Sequence, residues 1–291
     1  MIGFLLTVGP KEGGIAVQAI QSILRHYHDA KIWVRDDATT DGSYELLKGL
    51  ADQHPDRIDL ARNPQPMGYR GIPVSIFRSY HRIANAPEKL EMLIQLDPDV
   101  WLRDGIDELA RKKFAEQGPG IVGSYMRSPS QTTRSHSWHR NNMIRDLFPL
   151  GWDKATKKFR AGFPFYLPYL STAMRNGYKP GHHVLGAFYI MSGETLYALE
   201  KVGFWDSMPD AGSRIIKEDD PLVSIGAFIV GHKLIELHDE GTPKVWIQVA
   251  NPLPFSAQEI LERNYMAVHP LKYDERALAI RRELAEATAV A

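Results

Sequence analysis

The chain contains no cysteine, which excludes disulfides, thiolate nucleophiles and zinc–thiolate sites together. It carries no net charge: 35 Lys and Arg balance 35 Asp and Glu, so no whole-chain field draws it to nucleic acid or to an anionic membrane. No window approaches the roughly 18–20 continuous apolar residues of a membrane span. The apolar opening, residues 2–8, is short and lacks a basic lead-in, so it reads as a buried first strand rather than a signal peptide. No Gly-x-Gly-x-x-Gly follows a strand, which sets aside a dinucleotide-dependent oxidoreductase. The expected location is the cytoplasm, with peripheral contact at the inner membrane face compatible with it.

What remains is an ordinary globular composition: 291 residues, 44% hydrophobic and 24% charged. The first half alternates strand-like and helix-like segments, the pattern of βα units on a mostly parallel sheet. Strands are expected at residues 3–8, 31–35, 57–61, 92–96 and 120–124, with helices at 16–25, after Thr40 or Asp41, at 72–84 and at 104–114. Regular structure resumes with a strand at 187–191, a helix at 194–202 and an apolar helix after Asp220. Between Tyr125 and Gly181 the pattern lapses, and ten Lys or Arg stand against two acids among many aromatics. That stretch reads as a long functional insertion. The final stretch, 273–291, reads as an exposed amphipathic helix.

Three carboxylate clusters sit where chemistry could use them. Asp36-Asp37-Ala38-Thr39-Thr40-Asp41-Gly42-Ser43 follows a strand, where open α/β sheets bind ligands, but the same residues also suit turns and helix caps. Asp97-Pro98-Asp99 ends another strand. Hard divalent cations such as Mn²⁺ or Mg²⁺ take one or two carboxylates together with substrate phosphates, while Pro98 equally suits a plain turn. Glu218-Asp219-Asp220 precedes a helix and suits either a general base or a favourable helix N-terminus. His238, at the end of the strand after that helix, is the histidine best placed to approach a metal. His269-Pro270-Leu271-Lys272 is placed to form a lid.

In their order and spacing these segments resemble the inverting, family-two type glycosyltransferases of the GT-A fold. The resemblance rests on residues 36–43, on Asp97-Pro98-Asp99, on Gly186-Ala187-Phe188-Tyr189-Ile190-Met191-Ser192 with 200–206, and on Glu218-Asp219-Asp220. It covers roughly residues 1–238. Ala38 stands where the family has glycine, and Thr7-Val8-Gly9-Pro10 replaces its usual first loop.

The resemblance implies an α/β, GT-A-like domain over 1–240, with a mostly parallel central sheet flanked by helices. An acceptor-side insertion would span 125–185, and a C-terminal extension, 241–291 with its helical tail, would pack on or cover the site. It implies a UDP- or GDP-sugar donor contacted by Thr7, Val8, Asp36, Asp37 and Asp97, with Arg70 or Arg78 near the phosphates. Asp97 and Asp99, with His238, would hold Mn²⁺ or Mg²⁺. Asp219 would be the base that drives inversion, with Glu218 and Asp220 as alternatives. The acceptor would be a saccharide or lipid-linked saccharide, as in polysaccharide biosynthesis, and the basic insertion would suit an anionic one. Nucleic acid is not expected as a partner, and an oligomer is compatible with the sequence. The rival readings are a sugar nucleotidyltransferase and an inactive saccharide- or nucleotide-binding protein of the same fold.

Overall fold

The computed structural model describes residues 1–68, 71–147, 152–153, 158–159, 167–207, 219–239, 244–248, 252–272 and 274–289. The chain opens with β1 (Ile2–Val8), α1 (Gly13–His26), β2 (Lys31–Asp36), α2 (Ser43–Gln53), β3 (Ile58–Arg62), α3 (Ile72–Ala84) and β4 (Met92–Leu96). These are parallel βα units. β1 pairs with β2 on one side and β4 on the other, and its side chains bury into two separate cores, Phe4, Leu6 and Val8 in one and Leu5 in the other, so both faces are covered, which explains its unbroken apolar run. On α1 the buried residues Ala16, Ala19, Ile20 and Ile23 fall at helical spacing and pack on the sheet.

After β4 come β5 (Trp101–Leu102), α4 (Ile106–Gln117) and β6 (Gly120–Gly123). The basic stretch then forms α5 (Ser137–Leu147), β7 (Trp152–Asp153), β8 (Lys158–Phe159) and α6 (Leu167–Arg175). It therefore holds more regular structure than its pattern suggests. Part of the reason is that α5 is mostly polar and offers little apolar periodicity, while α6 anchors through Leu170, Ala173 and the half-buried Tyr169. β9 (Phe188–Ser192), α7 (Gly193–Lys201), α8 (Asp219–Ile229) and β10 (Lys233–Glu236) complete the main layer.

The large sheet has the order β10-β6-β9-β4-β1-β2-β3. β9 runs antiparallel to both neighbours, β4 and β6, and its five residues are all buried. Its reversed direction brings its first residues to the same edge as the carboxyl ends of β1, β2 and β4. There the Asp97 amide donates to the Ala187 carbonyl at 2.9 Å.

The C-terminal part adds β11 (Val245–Ile247), α9 (Ala257–Glu262), β12 (Ala267–His269) and α10 (Glu275–Ala289). Ser256 and Glu259 cap α9 reciprocally. β11, β12 and β5 form a second sheet, over a small core that includes Trp101, Phe255, Tyr265 and Leu284. The tail helix is not simply exposed. Ala277, Ile280, Arg281 and Leu284 recur at i, i+3, i+4 and i+7 and are buried, with Arg281 only 2% exposed. No helix among the described residues is long and apolar enough to cross a membrane.

Candidate active site

A cleft of about 880 Å³ opens at the carboxyl ends of the parallel strands. Its floor is made by the turn that ends β4. Val100 is buried and the chain enters β5 at once, so Asp97-Pro98-Asp99 is held between two strands. Trp101 pairs with Val268, and the Leu271 amide donates to the Asp99 carbonyl at 3.0 Å. That pairing delivers His269 to the same turn. Ligand atoms of Asp97, Asp99 and His269 all lie within 4.8 Å of one another.

The electrostatics of this group are specific. Asp99 is fully buried, yet neither carboxylate oxygen accepts a hydrogen bond from the described residues. His269 Nε2 stands 3.3 Å from Asp99 Oδ2, and Lys272 Nζ 3.5 Å from Asp99 Oδ1. Lys272 also pairs with Glu12 at 2.9 Å. Burial and the Asp99 charge push the half-buried Asp97 carboxyl up to about 6. Burial pushes Asp99 up as well, but His269 and Lys272 more than reverse it and hold it below the ordinary range. Burial lowers the His269 pKa, and the two carboxylates reverse that into a net rise. His269 Nδ1 lies 2.7 Å from the Gln248 carbonyl, so Nδ1–H donates there and Nε2 faces the carboxylates. Two oxygen donors and an oriented imidazole suit a divalent cation, which would replace a proton on Nε2. Buried carboxylate oxygens whose nearest donors, the His269 imidazole at 3.3 Å and the Lys272 ammonium at 3.5 Å, make no close hydrogen bond to them fit such an ion.

The far wall comes from α8 and the segment before β9. Asp219 and Asp220 line the cleft together with Gly186 and Ala187. Asp220 Oδ2 lies 3.8 Å from His183 Nε2, and a Cβ on Gly186 would come 3.3 Å from Asp220 Cβ, so glycine lets the wall close on the carboxylate. Arg134 supports this wall from inside. Its guanidinium donates to the carbonyls of Ser124, Tyr125 and His183, and Nη2 lies 3.1 Å from His183 Nε2. His183 Nδ1 donates to the Gly181 carbonyl, so Nε2 accepts from Arg134 and the ring is neutral. Burial first, then the neighbouring His139, lowers its pKa to about 2. His139 packs on His183 at 3.9 Å between ring centroids, and the 55%-exposed Trp138 extends the aromatic surface along the cleft.

The sequence-predicted residues divide as follows. Thr7, Asp37, Asp97, Asp219 and Asp220 line the cleft, and Asp99 lies just under its floor. Asp37 faces inward but is also structural: it accepts from Asn63 Nδ2 and from the amides of Met67 and Gly68, at 2.8 to 2.9 Å. Asp36 is buried on Thr39 and Arg62, where it fixes the turn after β2. The Val8 side chain is in the core, and its carbonyl takes the Asp37 amide. Arg78 is exposed on α3, in the field of Arg35 beside Arg82, and does not line the cleft. His238 is buried with Nε2 2.8 Å from Ser124 Oγ, away from the Asp97 group. It follows β10, which lies at the sheet edge with β6 and β9 between it and β4. Arg70 and Glu218 lie outside the described residues.

Ala38 adopts φ +51°, so the turn keeps the left-handed geometry that glycine would favour. Sequence reasoning did not select His269 as a ligand, nor Glu12, Arg134, Trp138, His139 or His183 as wall residues. The one available signal was the His269-Pro270-Leu271-Lys272 run.

No family model matches the sequence, and no curated protein matches it. Among solved structures, the galactosyltransferase LgtC in complex with donor and acceptor sugar analogs is similar at 11% identity, over 98% of this chain and 95% of that one, with a TM-score of 0.50. The chain has a GT-A-like fold. Mannosyltransferase PcManGT from Pyrobaculum calidifontis, in complex with GDP-Man and Mn²⁺, is 15% identical over 99% of this chain, with a TM-score of 0.47. S. aureus TarS is 11% identical over 82% of this chain, with a TM-score of 0.45. The chain spans 64% of PcManGT and 35% of TarS.

Proposed function

We propose that the chain is a glycosyltransferase that moves a sugar from a nucleotide-diphosphate donor to an acceptor hydroxyl, with inversion and with help from Mn²⁺ or Mg²⁺. The observation that carries this reading is the Asp97–Asp99–His269 group on the floor of a large cleft, facing Asp219 and Asp220 across it. A divalent cation there would neutralise charge that builds on a departing diphosphate.

The chain's own residues divide the remaining work. Thr7 and Asp37, at the ends of β1 and β2, are placed for the base and ribose of the nucleotide. Lys272, anchored on Glu12 and Asp99 at the cleft edge, supplies a cation for a phosphate oxygen. Asp219, the more exposed of the α8 pair, takes the proton from the attacking hydroxyl; Asp220, held beside His183, keeps the wall in place. Trp138 offers a flat face for a pyranose acceptor. A UDP- or GDP-sugar suits the cleft, and a saccharide, free or lipid-linked, suits the acceptor wall.

The test is calorimetric titration of UDP and GDP with and without Mn²⁺, into wild type and Asp99→Ala. Binding of one nucleotide that requires both metal and Asp99 is the expected result. A folded protein that binds neither would remove the donor-site reading.

A further inference from the structure

Arg281 is the most buried cation among the described residues, and the proposed chemistry does not use it. It comes from α10, in the C-terminal tail, and is only 2% exposed. Its Nε donates to Gln18 Oε1 at 2.8 Å, and Nη2 donates to the carbonyls of Ile15 at 2.7 Å and Pro98 at 3.1 Å. Nη1 has no hydrogen-bond partner among the described residues. No carboxylate among the described residues pairs with it, and burial lowers its pKa to about 10 against the opposing field of Asp99.

A buried guanidinium held only by neutral acceptors is costly, and an apolar side chain of similar length would fill the same volume without that cost. What the fork adds is position. Pro98 is the residue between Asp97 and Asp99, and its carbonyl is one of the groups that Arg281 grips. The other two belong to α1, which follows the loop that carries Glu12. One planar group thus ties the turn bearing both carboxylates to the helix behind the donor loop.

We propose that Arg281 is a positioning residue of the divalent-cation site, and that α10 is a working part of that site rather than an appendage. The inference rests on reading Asp97, Asp99 and His269 as cation ligands. Partners one shell removed from a metal typically change its affinity by 10–100-fold when lost.

The test measures Mn²⁺ alone, by the electron paramagnetic resonance of the free ion, on the full chain carrying Arg281→Met or Arg281→Lys. Circular dichroism confirms the fold of each variant. Arg281→Met should weaken Mn²⁺ binding by roughly 10–100-fold, and Arg281→Lys, which keeps the charge but loses the fork, should fall between it and wild type. Tighter binding in Arg281→Met with wild-type binding in Arg281→Lys would mean that only the charge matters, and would overturn the proposal. Unchanged affinity in a folded Arg281→Met would overturn it too. Should Arg281→Met not fold, Gln18→Ala removes one acceptor from the same fork and should cost roughly threefold; no change there also refutes the role. Failure of wild type itself to bind Mn²⁺ would overturn the cation reading and this inference with it, whereas binding by wild type and Arg281→Met alike removes only the latter.

Discussion

Consider replacing Lys272 by methionine, which keeps the length of the side chain and removes its charge. The ammonium lies 3.5 Å from Asp99 Oδ1, and at an effective dielectric of 20 two unit charges at that distance attract by about 5 kcal/mol. A divalent cation on Asp99 must share that carboxylate. Most of the gross energy is not lost, because Glu12 at 2.9 Å holds the ammonium at the cleft edge and water reaches it there. A net repulsion of about 1.4 kcal/mol, a factor of ten, is a reasonable remainder. Lys272→Met should therefore bind Mn²⁺ alone about tenfold more tightly than wild type. The same change removes a cation from the proposed diphosphate site, so UDP or GDP should bind the Mn²⁺-loaded variant about tenfold more weakly. Calorimetry reads both constants on one preparation. Opposite signs are the signature. Mn²⁺ affinity that is unchanged or weaker in the absence of nucleotide would refute the competition for Asp99.

Asp219→Asn should reduce transfer by about 10²–10⁴-fold while nucleotide binding stays within twofold or so, as measured by product formation alongside titration. For His183 the unfolded-state pKa is near 6.5 and the folded value about 2, so the unfolded chain binds the extra proton first. Stability present above pH 6.5 should fall as pH drops below it, by at most about 1.4 kcal/mol per pH unit, and His183→Gln should flatten that slope in thermal unfolding between pH 7.5 and 5. Ala38→Gly relieves a left-handed alanine, which costs about 1–2 kcal/mol, but frees the unfolded chain by about 0.4–1 kcal/mol. Its melting temperature should therefore rise slightly or hold, and a clear fall would mean that the Ala38 methyl makes a contact worth more than the strain.

The large sheet was legible because its inner strands are buried on both faces and so read as unbroken apolar runs, as in residues 4–6 and 92–94. Asp97 and Asp99 were visible for the same reason: they end such a run. The small sheet was not, since Val245–Ile247 and Ala267–His269 have three residues each, too few to show a period. His269 was therefore passed over for His238, which stands after a readable strand. No local pattern says that Trp101 will pair with Val268, and that long-range pairing alone decides which histidine reaches the carboxylates. Arg281 was hidden differently. It lies in a helix rich in charge, where nothing in the spacing separates the one inward arginine from its outward neighbour Arg282.

The reversed course of β9 has a consequence for redesign. Because the Asp97-Pro98-Asp99 turn and the wall segment before β9 are stitched by a main-chain bond, Asp97 amide to Ala187 carbonyl, peptide geometry fixes how closely they approach. On the proposed reading, side chains such as Trp138 and His139 can then be exchanged to suit a different acceptor while the spacing between floor and wall stays fixed. The fold offers a constant gauge with interchangeable furniture on one side, and directed evolution of acceptor choice should concentrate its substitutions at Ser135, Trp138 and His139 and leave Arg134 and the floor alone.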